Sequence, residues 1–300
     1  MKIVVAGGSG FLGEPIVKRL VTRGDDVVVL TRNPSHVRAG RALQWDARSQ
    51  GAWSDEAASA DVVINLAGEN IGEGRWTEER KRRMIGSRLD ATGAIVESLR
   101  RDPARARTLI NASAVGYYGN RGDEILNESS SRGDGFLAEL VERWEAAARE
   151  AESLARLVIV RFGVVLGADG GALQKMALPF KLGVGGPVGN GLQWLSWIDR
   201  EDAVRFVEWA IDQDSARGIY NATSPQPIRN REFARALGGA LHRPAFMPTP
   251  AIPLRLIFGQ MAEEVLLAGQ RVIPVRAEAE GFPFGRPAID AALAEALGGR

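Results

Sequence analysis

Residues Lys2–Gly13 read K-I-V-V-A-G-G-S-G-F-L-G, and the order of side chains in this stretch decides the fold. Ile3–Ala6 is a short uninterrupted apolar run, as expected of a strand buried on both faces of a parallel sheet. Gly7, Gly10 and Gly13 follow at three-residue spacing, and from Phe11 to Leu20 the apolar residues take up helical periodicity. In a strand–turn–helix of this kind Gly7 permits the tight turn, Gly10 lets the backbone approach a pyrophosphate, and Gly13 lets helix and strand pack closely. The helix N-terminus then presents free N–H groups to the anion. Ser9, Phe11 and Leu12 lie in the same turn and are expected to line the ligand together with the glycines. The stretch predicts a dinucleotide-binding unit at the start of the chain.

The chain of 300 residues, 45% of them hydrophobic, is long enough to bury one large core, or one domain with a lobe attached. Its 38 basic and 37 acidic side chains leave a formal charge of +1, so bulk electrostatics points to neither nucleic acid nor a membrane surface as a partner. The absence of cysteine excludes disulfides, thiolate metal sites and a cysteine nucleophile. His36 and His242 are the only imidazoles and lie far apart in sequence, so no metal centre is expected. The first strand begins at residue 2, which leaves no room for a leader, and no apolar run reaches the ~18 residues of a membrane span. The expectation is a soluble, cytoplasmic protein acting on a small molecule; oligomeric state is not predicted.

Further strands are expected at Val27–Leu30, Leu43–Trp45, Asp61–Leu66, Thr108–Ala112 and Leu157–Arg161. Helices are expected from Thr77 to about Arg101 and from Phe136 to Glu152. This alternation argues for an α/β fold, a Rossmann-like doubly wound parallel sheet with helices on both faces. The second strand closes on Thr31-Arg32, where an acidic residue would bind a free ribose 2′-hydroxyl and an arginine accommodates a 2′-phosphate. No acid stands there, and Arg32, with Arg38 and Arg41 behind it, favours NADP(H) over NAD(H). Asn65, Leu66, Ala67 and Gly68 follow the fourth strand, and their small side chains let the chain pass close to the cofactor.

From Gly167 onward the rhythm breaks. Gly183–Trp197 forms a glycine-rich, aromatic-studded loop within an insertion of about 168–198, too long for a bare connector. Asp202–Ile211 reads as helix, Gly218–Ala222 as strand, Asn230–Leu241 as helix and Leu254–Ala268 as a final helical piece. The division expected is a Rossmann-like domain over 1–225 and a smaller C-terminal α/β lobe over 226–300, with 199–225 returning to the sheet.

At this point the chain resembles the short-chain dehydrogenase/reductase superfamily in its extended, epimerase/dehydratase-like branch. Gly7-x-x-Gly10-x-x-Gly13, Asn65-Leu66-Ala67-Gly68 and the run Ser113–Gly119 carry the likeness. Phe258–Ala262, Leu267–Pro274 and Gly281–Phe284 resemble the small C-terminal domain of an atypical subgroup also described as cell-division-inhibitor-like. The resemblance implies cofactor contacts at Arg88, which aligns with an asparagine of the branch, and at Val165, beyond the sixth strand.

It also implies a Tyr-x-x-x-Lys pair on the Phe136–Glu152 helix, with the tyrosine as general acid/base. This chain departs from that pattern. Leu137 and Val141 fall at the two positions, and the neighbouring register offers Phe136 and Leu140, none of which moves a proton. Ser113, Tyr117 and Tyr118 then supply the nearest hydroxyls, with Ser113 and Tyr117 the catalytic candidates, at the carboxyl edge where such sheets bind ligands. Glu69 lies at the same edge, whereas Asp123, Glu124 and Glu128 read as solvated loop residues. Trp194, Trp197 and Asp199 belong to the glycine-rich loop, where the tryptophans read either as an aromatic platform for a sugar or ring or, in preference, as core packing beneath the loop. Two classes follow: an NADP(H)-dependent epimerase or oxidoreductase with a non-standard active site, or a non-catalytic NADP(H)-binding regulator or scaffold.

If Arg32 meets the 2′-phosphate, NADPH binds more tightly than NADH by about one to two orders of magnitude. Arg32→Ala should abolish most of that margin in a fluorescence titration, and equal wild-type affinities would overturn the assignment.

Overall fold

The computed structural model describes residues 1–105 and 107–298. Seven strands build the central sheet: β1 (Lys2–Ala6), β2 (Asp26–Thr31), β3 (Arg41–Gln44), β4 (Val62–Asn65), β5 (Thr108–Ala114), β6 (Arg156–Phe162) and β7 (Gly218–Ala222). All neighbours pair in parallel, in the order β7-β6-β5-β4-β1-β2-β3. The chain winds outward from β1 in both directions, so a crevice opens at the carboxyl ends of β1 and β4. The seventh strand is the Gly218–Ala222 segment, returning to the sheet beside β6.

Each sheet face is covered by helices chosen by apolar periodicity. On one face Ile16, Val17 and Leu20 of α1 (Gly13–Thr22) pack with Val204, Phe206 and Val207 further along the chain. On the other, Trp53 and Ala57 of α2 (Ala52–Ala58) join Ala91, Ile95 and Leu99 of α3 (Glu78–Leu99) and Ala148 of α4 (Phe136–Arg149). Helix α1 begins at Gly13 rather than Phe11, because Gly10 N donates to the Gly7 carbonyl at 3.0 Å and holds Gly10–Leu12 as a turn. Thr77 caps α3, its side chain accepting from Arg80 N.

The remaining chain is more helical than its composition suggested. Within the glycine-rich insertion lies α5 (Gly171–Lys181), followed by the buried strand segment Trp197–Asp199, whose Asp199 caps α6 (Arg200–Asp212). A separate core joins Leu173, Ala177 and Phe180 of α5 to Phe233 and Leu237 of α7 (Asn230–Leu241) and Leu293 of α10 (Ile289–Gly298). Trp197 lies fully buried in it. The second core therefore draws on residues from before as well as after position 225. The single helix expected over Leu254–Ala268 is instead two pieces: α8 (Ala251–Phe258) ends where Gly259 adopts φ +58°, and a π-turn over Ala262–Leu266 follows. A left-handed glycine terminates a helix readily. Between α8 and α10, α9 (Val275–Ala279) sends Ala277 back into the sheet core.

The glycine triplet divides into positions with different demands. A Cβ on Gly13 would overlap the Gly7 carbonyl oxygen and sit 2.7 Å from Gly8 Cα, whereas one on Gly10 meets only the Gly7 oxygen, at 3.2 Å. Gly13→Ala should therefore destabilise the fold by about 2–4 kcal/mol, while Gly10→Ala stays within about 1 kcal/mol of wild type. Urea denaturation of the two variants checks the contrast, and equal losses would contradict it.

Candidate active site

Two groups of residues meet at the carboxyl edge of the sheet. The first is a cradle. Gly7, at φ +78°, turns the chain hard against β4's exit, so that a Cβ would stand 3.0 Å from the Leu66 carbonyl. Helix α1 has no side-chain cap at its N-terminus, leaving that end open to an anion. The Ser9 hydroxyl lies 3.3 Å from that of Thr31, which accepts from Asn33 N at 3.2 Å, pinning the end of β2 to the glycine turn. Arg32 is exposed and makes no side-chain hydrogen bond or ion pair among the described residues. Arg38 and Arg41, by contrast, are paired with Glu14 at 3.3 Å and Glu56 at 2.7 Å. Asp46 accepts from the backbone of Arg48 and Ser49, as a turn residue does.

Phe11 packs against Gly170 and Gly171, with the Arg200 guanidinium 5.0 Å from its ring, and so links the cradle to the chain leaving β6. Leu12 and Val165 are half-buried against the sheet core. Asn65 is buried: its amide donates to Thr92 and Asn111 and its oxygen accepts from Ala67 N, fixing the turn through Leu66 and Ala67. A Cβ on Gly68 would stand 3.0 Å from the Arg88 guanidinium, so the glycine lets that side chain lie close against the turn. Arg88 donates to the carbonyls of Met84 and Glu69, lies 5.1 Å from the Trp144 ring and keeps a buried Nε–H without a partner. Burial lowers its pKa to about 10, so it remains a cation. The Glu69 carboxylate stands 3.5 Å from Arg83 instead.

The second group is a buried polar network. Glu145 of α4 and Arg161 of β6 form a two-pronged pair, with Nε and Nη2 donating to the two carboxylate oxygens at 2.7 and 2.8 Å. Arg161 Nη1 donates to the Tyr118 hydroxyl at 2.9 Å, and that hydroxyl donates to Asn221 Oδ1 of β7 at 2.8 Å. Ser113 donates to Glu145 at 2.6 Å. Burial acts against the Arg161 charge, but hydrogen bonding to Glu145 and the pull of Tyr118 outweigh it and hold the guanidinium above the ordinary arginine range. Burial pushes Tyr118 up to about 12 despite Arg161.

Tyr117 is placed differently from its neighbour. The Arg161 carbon lies 3.5 Å from its ring centre, a cation–π stack, and its hydroxyl makes no hydrogen bond among the described residues. The residue before it, Gly116, faces Leu137, whose Cβ would be 3.4 Å from an added methyl. Leu137, Leu140 and Val141 are buried with Trp76, Met84 and Met261, so the apolar helix face expected in place of a tyrosine–lysine pair is present. Ser113 is thus drawn into the network rather than left at the surface of the site. The strand R-L-V-I-V-R-F carried the signal for Arg161, a charge inside an apolar run; Glu145 carried the same signal on the inner face of α4.

Glu128 departs from expectation. It is not solvated: Oε1 accepts from Asn221 N at 3.1 Å, tying the polar loop to the sheet edge, and Oε2 is buried without a partner. Asp123 accepts from Trp194 Nε1 and pairs with Arg229, whose guanidinium lies 4.2 Å from the Trp194 ring.

A glycine cradle at the switch point of a seven-stranded parallel sheet defines a Rossmann-like dinucleotide-binding protein. Residues 3–223 match the NAD dependent epimerase/dehydratase family, and the chain belongs to it; residues 249–296 match a domain of unknown function, DUF1731. The chain is 38% identical to the human epimerase family protein SDR39U1 over 98% of its length and 99% of the relative's. It is 36% identical to the Bacillus subtilis epimerase family protein YfhF, over 100% and 99% of the two chains. A crystal structure of human SDR39U1 (isoform 2) with NADPH superposes with a TM-score of 0.90 at 36% identity, covering 100% of both chains.

Burial, opposed by the backbone bonds from Asn221 and Arg276, raises the Glu128 pKa. A carboxyl that binds its proton more tightly when folded favours the native state at low pH and loses that advantage as pH rises through its folded pKa. Glu128→Gln should therefore melt above wild type at about pH 8, with the gap closing towards about pH 4. A gap that widens on acidification would contradict this.

Proposed function

We propose that the chain binds NADP(H) and carries out redox or epimerase-type chemistry on a small-molecule hydroxyl or carbonyl substrate, with Tyr117 as the proton-carrying group. The cradle fits the cofactor. At Gly10 an added Cβ would meet only the Gly7 carbonyl oxygen, at 3.2 Å, where the backbone must approach a pyrophosphate; α1 offers an uncapped N-terminus, and Arg32 is free at the end of β2 with no acid beside it in the sequence. The human relative crystallised with NADPH supports the same choice. Gly7, Ser9, Gly10, Phe11, Leu12 and Gly13 would hold the pyrophosphate side. Thr31 and Arg32 would meet the 2′-phosphate, and Asn65–Gly68, Arg88 and Val165 would hold the remainder. When bound, the nicotinamide supplies or accepts the hydride.

The observation that carries the catalytic half is the state of the Tyr117 hydroxyl. Around it, Ser113, Tyr118, Glu145 and Arg161 are all engaged with one another, while the half-buried Tyr117 makes no hydrogen bond through its hydroxyl among the described residues. The Arg161 guanidinium lies 3.5 Å from its ring centre and fixes the orientation of the ring. Tyr117 would give a proton to a developing alkoxide or take one from a substrate hydroxyl. Ser113, its proton committed to Glu145, acts by holding that carboxylate in place.

The buried apolar face at Leu137 and Val141 favours a second reading, in which the protein binds NADP(H) as a regulator without turnover. A panel of carbonyl substrates with NADPH separates the two. If turnover is found, Tyr117→Phe should lower kcat by about 10²-fold or more, with KM little changed and the fold intact by circular dichroism. Activity indifferent to Tyr117 would remove the assignment. Tight NADPH binding without turnover of any carbonyl would favour the regulator.

A further inference from the structure

The C-terminal part of the chain carries an apolar surface that nothing in the fold covers. None of the eight residues of α8 is buried, and Ile252, Leu256 and Ile257 are 68, 72 and 60% exposed. Phe246, just upstream, is 74% exposed, and Leu178 and Leu182 at the end of α5 are 56 and 70% exposed. Backbone bonds hold these pieces side by side: Met247 N donates to the Gly185 carbonyl at 3.1 Å, and Thr249 N to that of Pro187 at 2.8 Å. A contiguous apolar surface of this kind marks a place of interaction, whereas singly scattered apolar residues need no explanation.

The two segments that form this surface carry charge of one sign. Residues 171–184 and 242–262 contain Lys175, Lys181, Arg243 and Arg255 and no aspartate or glutamate. Arg255 is neutralised by Glu263 at 2.5 Å, Glu264 accepts from the backbone of Phe136 and Leu137, and Asp169 and Glu295, which share a cavity with Lys181, pair with Arg200 at 3.0 Å and Arg286 at 3.4 Å; Lys175, Lys181 and Arg243 make no ion pair among the described residues. The chain-wide charge of +1 averages this local excess away.

We propose that this face docks on an anionic lipid surface, as a peripheral contact through α8, the Phe246 segment and the end of α5. Apolar side chains that protrude among cations enter the headgroup boundary while the cations meet the lipid charge. A second copy of the chain is a poorer occupant, because a two-fold contact through this patch would set Lys175, Lys181 and Arg243 against their own copies. No helix among the described residues is long and apolar enough to cross a membrane, so the contact is with the surface. Arg75 donates to the Leu256 carbonyl at 3.4 Å and Lys175 to that of Gly72 at 2.9 Å, which sets the docking face against the loop leaving β4, at the edge that carries the candidate site.

The inference is independent of the cofactor reading and is tested on the full chain by co-flotation with vesicles. Phosphatidylcholine vesicles containing phosphatidylglycerol should carry the protein, phosphatidylcholine alone should carry little, and added salt should release it. Phe246→Ser with Leu256→Ser should lower the bound fraction at limiting lipid by about tenfold or more. The melting temperature should stay unchanged, because both side chains are exposed. Lys181→Glu with Arg243→Glu should remove the preference for anionic vesicles. Failure to bind the mixed vesicles would overturn the proposal. So would a dimer in sedimentation velocity that the double serine variant disperses, since that result would make a second copy the occupant.

Discussion

Glu145 and Arg161 form the pair on which the carboxyl edge depends. Both are essentially excluded from solvent. One comes from the helix packed on the sheet and the other from the sheet itself, and through Ser113, Tyr118 and Asn221 they reach β5, the turn after it and β7. A buried pair of this sort adds little net stability compared with an apolar replacement, but removing one partner strands a charge at a cost of about 3–5 kcal/mol. Its contribution is positional. It fixes the spacing of α4 against β5 and β6, and it presents a flat cation to the face of Tyr117.

The same helix is held from a second direction. Gly135, at the start of α4, adopts φ +104° and offers no side chain to cap the helix. Glu264, from the π-turn of the C-terminal segment, accepts from the N–H groups of Phe136 and Leu137 at 3.0 and 2.9 Å, while Gln260 donates to it at 2.7 Å. A carboxylate at a helix N-terminus satisfies free donors and complements the dipole. The C-terminal segment thereby sets the first turn of the helix whose inner face closes the site. The carboxylate comes from a π-helical turn, a conformation often found at functional sites.

The central sheet was legible because its causes are local. Apolar runs of strand length, glycines at fixed offsets and helical periodicity each report on a few neighbouring residues, and they located β1–β6, α1, α3 and α4. Helix α5 was not legible: it starts at Gly171 and contains Pro179, both poor helix formers, and Leu173, Ala177 and Phe180 pack it on α7. The break after α8 was hidden for a related reason. The apolar pattern runs through Gly259, and what ends the helix is a backbone conformation rather than a change in side chains.

For the candidate site the division is similar. The sequence by itself determined the cradle, the absence of a tyrosine–lysine pair on α4 and the arginine at the end of β2, since each depends on residue type at a known offset from a strand. It did not determine the partners of the buried charges. Glu145 lies 16 positions from Arg161, Tyr118 lies 103 from Asn221 and Glu264 lies 128 from Phe136, so each pair exists only after the sheet has closed. Nor did it show that Glu128 is bonded to the sheet edge or that Tyr117 keeps a free hydroxyl among the described residues while Ser113 does not. Hydrogen bonds and desolvation act between groups that are neighbours in space, and only the tertiary structure decides which groups those are.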